Sequence, residues 1–150
     1  MRAEVPLAVG TLTVGLPLGW DVLDSPPVGV ALLAVAPTAS SGVRPNLVVT
    51  VDDVSGLAGL RDWQQGSDRL MAGTLDAYQL LDLERVALSG ADGVRRLATH
   101  VVDGASSLTM EQWAVIFADQ GVTLTGTVAT ADYPAVAPVL RACAESLSLR

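Results

Sequence analysis

Leu12, Val14 and Leu16 alternate with Thr11, Thr13 and Gly15, which is the period-2 signature of a half-buried strand. Leu16-Pro-Leu-Gly-Trp20 then turns into Asp21-Val-Leu23, and Pro26-Pro27 breaks the chain. The continuous apolar run over 28–35 predicts a strand covered on both faces. Residues 37–42 read as a loop, and 47–51 as the next strand, ended by Asp52-Asp53.

Over 55–75 the period changes. Leu60, Trp63, Leu70, Met71 and Thr74 fall on one side at 3.6 residues per turn, with Arg61, Gln65, Asp68, Arg69 and Ala72 opposite, so a helix is expected. Gly59, Gly66 and Gly73 recur every seven residues along one edge of that stripe. Each glycine costs about 1 kcal/mol relative to alanine inside a helix, so three of them need a reason. Close packing of helix on sheet is the plain one. A shallow groove edge, with Trp63 beside it and a partner's backbone or an acyl chain within, is the sharper one.

Four β patterns follow. Leu81 and Leu83 alternate with Asp82 and Glu84. The phase then switches to Val86 and Leu88, which predicts a bulge near Glu84-Arg85. Residues 89–93 read as a hairpin loop, and 94–102 as a strand closed by Asp103-Gly104. Residues 108–117 place Trp113, Val115 and Phe117 on one face, and 118–121 turn again. In 122–128, Val122, Leu124 and Val128 alternate with threonines. Short loops make this an antiparallel meander. Asp132 can cap a last helix with Pro134 near its start; regular helix is expected from about Pro138, with Val136, Val139, Leu140, Cys143 and Leu147 buried. The expected fold class is α+β: an antiparallel sheet of about six to seven strands flanked by two main helices.

Composition narrows the functions. At 150 residues, half of them hydrophobic, one domain spanning 1–150 is expected. All nine basic residues are arginine. Without lysine there can be no P-loop lysine and no Schiff-base chemistry. Arginine-only usage with abundant Ala, Val, Gly and Leu resembles the product of a high-GC actinobacterial gene. A net charge of −7 argues against nucleic acid and anionic membrane as partners; Arg95-Arg96 is the only basic doublet. No run of 18 apolar residues spans a membrane. With no signal-peptide pattern and no lipobox cysteine in this sequence, a cytoplasmic site is favoured, with the cell envelope or secretion as alternatives.

Reactive side chains are sparse. His100, the single histidine, shares a strand face with Arg96, Ala98 and Val102 and reads as a surface or rim residue. A small hydrolase using His100 with a nearby hydroxyl such as Ser106 or Ser107 is the enzymatic alternative, although no Gly-x-Ser-x-Gly elbow is present. Cys143 reads as a buried, inert thiol. One histidine and one cysteine nearly exclude zinc, and no cofactor or metal is expected. Trp20, Trp63 and Trp113 read as core anchors, the last two meeting in one core.

Leu16-Pro-Leu-Gly-Trp20, Pro45-Asn-Leu-Val-Val-Thr50, Leu88-Ser-Gly-Ala-Asp-Gly93-Val-Arg95, Gln112, Val122-Thr-Leu-Thr-Gly-Thr127, Asp132-Tyr133 and Glu145-Ser-Leu147 together resemble the PsbP-like fold, particularly the LpqN and DcrB-like groups of bacterial proteins. The resemblance implies an antiparallel sheet between helices and a non-enzymatic accessory role, as a cell-envelope lipoprotein or a chaperone-like adaptor. It supplies no catalytic residues. The expectation is therefore a binding or adaptor module for a protein segment or an amphiphile, with a self-assembling structural subunit as a further alternative.

Overall fold

The computed structural model describes residues 1–39 and 41–150. Ser40, inside the loop expected over 37–42, lies outside the described residues.

The alternating segments become strands because each has one face to bury. In chain order they are β1 (Arg2–Pro6), β2 (Thr11–Gly15), β3 (Asp21–Val22), β4 (Leu32–Val35), β5 (Asn46–Asp53), β6 (Asp76–Leu88), β7 (Ala91–Val102), β8 (Ser106–Phe117), β9 (Gln120–Ala129) and β10 (Ser148–Leu149). Helix α1 (Leu60–Thr74) lies between β5 and β6, and α2 (Tyr133–Glu145) between β9 and β10. Among the described residues, seven strands form one antiparallel sheet in the order β3-β4-β5-β9-β8-β7-β6, and β1-β2-β10 form a second. The fold is α+β, with two main helices, as the periodicities require. No helix among the described residues is long and apolar enough to cross a membrane.

Register settles which side chains share a face. Arg95, Trp113, Leu124, Val49 and Leu32 lie in one row across the large sheet. That face packs against α2 and the small sheet, and it holds the main core with Leu12, Val14, Leu140 and Cys143. The opposite face carries the row Arg96, Gln112, Thr125, Val48 and Leu33. There α1 forms a smaller cluster of Trp63, Val54 and Ala114, with Leu60 and Ile116 beside it. Trp63 and Trp113 therefore occupy opposite faces and do not share a core.

Strand β9 seats both helices. A Cβ on Gly121 would lie 2.6 Å from Cζ2 of Trp63, and one on Gly126 would lie 2.7 Å from Cδ1 of Leu140. The missing side chains let an indole sink onto one face and a leucine onto the other.

Several expected boundaries move, each for a local reason. The run 28–35 forms a strand only over Leu32–Val35, because Pro27 and Val30 close a turn and Val28 stands in solvent. Pairing with Gln120 and Gly121 carries β5 through Asp52-Asp53. Leu57 bonds back to Val54, and Gly59 sits at φ 135, so α1 begins only at Leu60. The bulges in β6 fall between Asp76 and Gln79 and between Leu80 and Asp82, not at Glu84-Arg85. The hairpin over 89–93 is a two-residue turn at Ser89-Gly90, and the turn before Gly121 is Ala118-Asp119; all four residues have positive φ, which matches strand twist. Helix α2 runs from Tyr133 through Pro138, whose ring is exposed, so water can reach the freed Pro134 carbonyl. Asp132 makes no capping hydrogen bond. Ala137 and Ala144 join Leu140 and Cys143 in the buried stripe, while Val139 is exposed.

The two classes of glycine should respond oppositely to alanine. Gly121→Ala forces the Trp63 ring to shift and is expected to destabilise by about 1–3 kcal/mol. Gly66→Ala meets open space in mid-helix and is expected to stabilise by about 0.5–1 kcal/mol. Urea unfolding reads both; equal effects would contradict the seat.

Candidate functional site

Arg95 and Arg96 are consecutive residues of β7, so alternation sends them to opposite faces. Each meets acids supplied by a different part of the chain.

Arg96 is 1% exposed and lies under α1. Its Nη1 donates to Asp68 Oδ1 at 2.6 Å and to the Tyr78 hydroxyl at 3.4 Å. Its Nη2 donates to the Gln64 carbonyl at 3.3 Å and to Gln64 Oε1 at 3.2 Å. Tyr78 donates to the same Asp68 oxygen at 2.9 Å. Asp68 thus faces the sheet rather than the solvent side that its polarity suggested, while Leu70 is exposed at the stripe's margin. The buried guanidinium selects Gln64 and Asp68 for the inner arc of the helix, because an unpaired buried charge is costly. Burial, followed by the bond to Asp68, raises the Tyr78 pKa above its ordinary value.

On the other face Arg95 Nε donates to Glu111 Oε2 at 2.5 Å, and Nη1 reaches Asp82 at 3.0 Å and Glu84 at 3.4 Å. Glu111 is fully buried and also accepts from the Tyr133 hydroxyl at 2.9 Å. Burial acts to lower the Arg95 pKa, but the hydrogen bond and charge of Glu111 outweigh it, and the guanidinium is held above its ordinary value. Burial, with the carboxylate of Glu111, raises the Tyr133 pKa.

Beside the Arg96 cluster the sheet is open. Helix α1 and β6 flank a groove of about 490 Å³. Leu60, Arg61, Gln64, Gln65, Asp68 and Arg69 of α1 form one wall; Leu83, Glu84 and Arg85 of β6 form the other; Val94 and Arg96 of β7 form the floor. Arg61, Arg69 and Arg85 are exposed, and among the described residues their side chains make no hydrogen bond or ion pair. The wall strand is the edge of the sheet, and its Leu80, Leu81 and Leu83 are 41%, 55% and 49% exposed. A long edge strand with exposed leucines is a surface that proteins usually protect.

The residues singled out from sequence lie elsewhere. Gly59, Gly66 and Gly73 do not line this groove; at 3.6 residues per turn they sit on the helix flank turned away from it. A Cβ on any of them would meet no atom within 4 Å, so close packing does not explain them. Trp63 is buried on Gly121, away from the groove.

His100 is buried at 9% exposure rather than on the rim, and its Nδ1 has no hydrogen-bond partner among the described residues. Ser107 lines the same cleft, but register pairs it with Val101 while His100 faces Leu108, so the two point to opposite sides. Ser107 bonds instead to Thr130. Burial raises the Cys143 thiol pKa, which keeps it protonated and unreactive. Asp53 accepts hydrogen bonds from Ser55, which lower its pKa.

No family model and no curated protein sequence matches the chain. Solved structures match over almost its whole length. Cyanobacterial PsbP from Synechocystis is similar at TM-score 0.72 and 14% identity, covering 99% of this chain and 92% of that one. LpqN of Mycobacterium tuberculosis, involved in cell envelope biogenesis, is similar at 0.70 and 12%, covering 99% and 90%. The Saccharomyces cerevisiae Ran-binding protein Mog1p is similar at 0.68 and 15%, covering 99% and 95%. The chain thus has the fold shared by PsbP and Mog1p.

Two outcomes follow from the Arg95 side. Glu111→Ala leaves the half-buried Arg95 with only its exposed partners Asp82 and Glu84, frees the Tyr133 hydroxyl, and is expected to cost about 3 kcal/mol in urea unfolding; a change below 1 kcal/mol would contradict the pairing. The raised tyrosine values give stability that is complete below the unfolded pKa of 10.0 and is lost as pH climbs through the folded values. Tyr133→Phe should therefore flatten the loss of stability above pH 10, and an unchanged alkaline limb would contradict the assignment.

Proposed function

We propose that this chain is a non-enzymatic binding module that holds a protein segment in the groove between α1 and β6. The observation that carries the reading is the concentration of unpaired arginines beside exposed leucines on a chain whose net charge is −7. Sites of this kind gain affinity from apolar burial and gain specificity and encounter rate from charge. The mixed polar and apolar lining suits a peptide better than an acyl chain, which favours a protein partner over an amphiphile.

The fold comparisons are compatible with a binding role: one neighbour is described as Ran-binding and another as acting in cell envelope biogenesis. Kinship with the LpqN or DcrB-like accessory proteins is part of the same proposal and rests on the resemblance of turns and core positions. The hydrolase alternative loses support from the divergent directions of His100 and Ser107. The free edge of β6 is what favours the self-assembly alternative.

A photo-crosslinking residue at position 83, compared with one at the remote and exposed position 18, tests the site in the source cells. The reading expects protein adducts from 83 that are absent from 18. It also expects them to vanish in the combined Arg61→Glu, Arg69→Glu, Arg85→Glu variant. Adducts that ignore charge reversal would contradict it, and adducts only to a second copy of the chain would favour self-assembly.

A further inference from the structure

We propose that the occupant of the groove is an acidic, extended segment that adds as a new strand to the free edge of β6; this rests on the binding reading above. Three observations carry it together. First, among the described residues β6 pairs only with β7, so the backbone donors and acceptors of its outer edge have no strand beside them. Second, the bulges are confined to its first half; from Asp82 to Leu88 the register against β7 runs without interruption. That stretch is a regular template on which a partner's main chain can continue the ladder. Third, the two faces of this template differ in charge.

On the groove face, Leu83 and Arg85 stand with Arg61 and Arg69 of α1; among the described residues these three arginines make no ion pair, and the two acids of the lining, Asp68 and Glu84, are paired with Arg96 and Arg95. On the opposite face, Asp82 and Glu84 stand half-exposed with their carboxylates on Arg95, although Glu84 also borders the groove. Side chains of an added strand alternate between these faces. Those on the groove side meet three unpaired cations, and those on the other side meet two carboxylates. The preferred sequence is therefore acidic at every second position and apolar or neutral between. Shifting the same residues by one position turns every acid toward Asp82 and Glu84, where like charges repel.

The template does not suit a second copy of itself. The β6 sequence carries its own acids, Asp82 and Glu84, on the face where acids are already concentrated, and brings only one basic residue, Arg85.

The test uses the full chain and a labelled synthetic peptide of roughly nine residues, alternating glutamate and valine. Fluorescence anisotropy is expected to show binding that weakens by about tenfold or more in the Arg61→Glu, Arg85→Glu variant, and to a similar degree when glutamates are replaced by lysines. A central proline in the peptide, which removes a backbone donor and breaks pairing, should also abolish binding. Hydrogen exchange of the 82–88 amides should slow by about tenfold at peptide saturation. Binding that depends on the arginines but survives proline and leaves β6 exchange unchanged overturns strand addition while keeping the site. Binding indifferent to the arginines overturns the site itself. No binding of the glutamate peptide overturns the proposal. So does a dimer by light scattering that the peptide fails to dissociate, which would assign the edge to a second copy.

Discussion

Each helix of this fold is held at two points: a glycine of β9, and a charged group centred on the arginine pair of β7, which reaches α2 through Glu111 of β8. On β9, Gly121 and Gly126 lie on opposite faces and leave space for Trp63 of α1 and Leu140 of α2. On β7, Arg95 and Arg96 lie on opposite faces; Arg96 binds Asp68 and Gln64 of α1, and Arg95 binds Glu111, which in turn holds Tyr133 at the start of α2. An absent side chain supplies the shape, and a buried charge supplies the register. Hydrophobic contact is non-directional, so it fixes the distance of a helix from the sheet better than its rotation. A guanidinium with several fixed donors fixes rotation.

That arrangement has an asymmetric consequence. The face toward α2 carries the main core, where Leu, Val and Trp113 fill the space under the helix and the small sheet. Among the described residues the face toward α1 has the small Trp63 cluster, with Ala98, Leu108 and Met110 also buried on it, and α1 is bonded there to Arg96. Because the Arg96 cluster needs Gln64 and Asp68, the groove-side wall of α1 is polar and cannot close over the leucines of β6. The open groove is thus the counterpart of the buried arginine.

Much of the scaffold is written in local pattern. The alternation over 11–16 and 122–128, the meander and the two helices are short-range features, and all appear, although α1 starts later and α2 earlier than expected. The resemblance to the PsbP-like fold rested on turns and core positions, which are also local. What could not be read was pairing over distance. Arg95-Arg96 was visible as a basic doublet in a strand, and alternation already separates the two; their partners Asp68 and Glu111 lie 28 and 16 residues away. Asp68 reads as outward-facing because its polarity suggests solvent, whereas its true partner is the distant Arg96. Gly121 was read as part of a turn, since the real turn, Ala118-Asp119, reaches positive φ without glycine. The usable signal for both seats was a glycine interrupting an alternating strand at 121 and 126. The groove was illegible for another reason: whether Leu80, Leu81 and Leu83 are covered depends on β6 being the edge, and strand order is not a property of the strand itself.

Native-state hydrogen exchange on an Arg96→Met variant tests the two-point attachment most directly. Trp63 anchors the first turns of α1, and Arg96 anchors the remainder. The account predicts that amides over 68–74 lose protection while the first turns of α1 and strands β8 and β9 keep theirs. Unchanged protection along the whole of α1 would show that apolar packing alone positions the helix, and would contradict it.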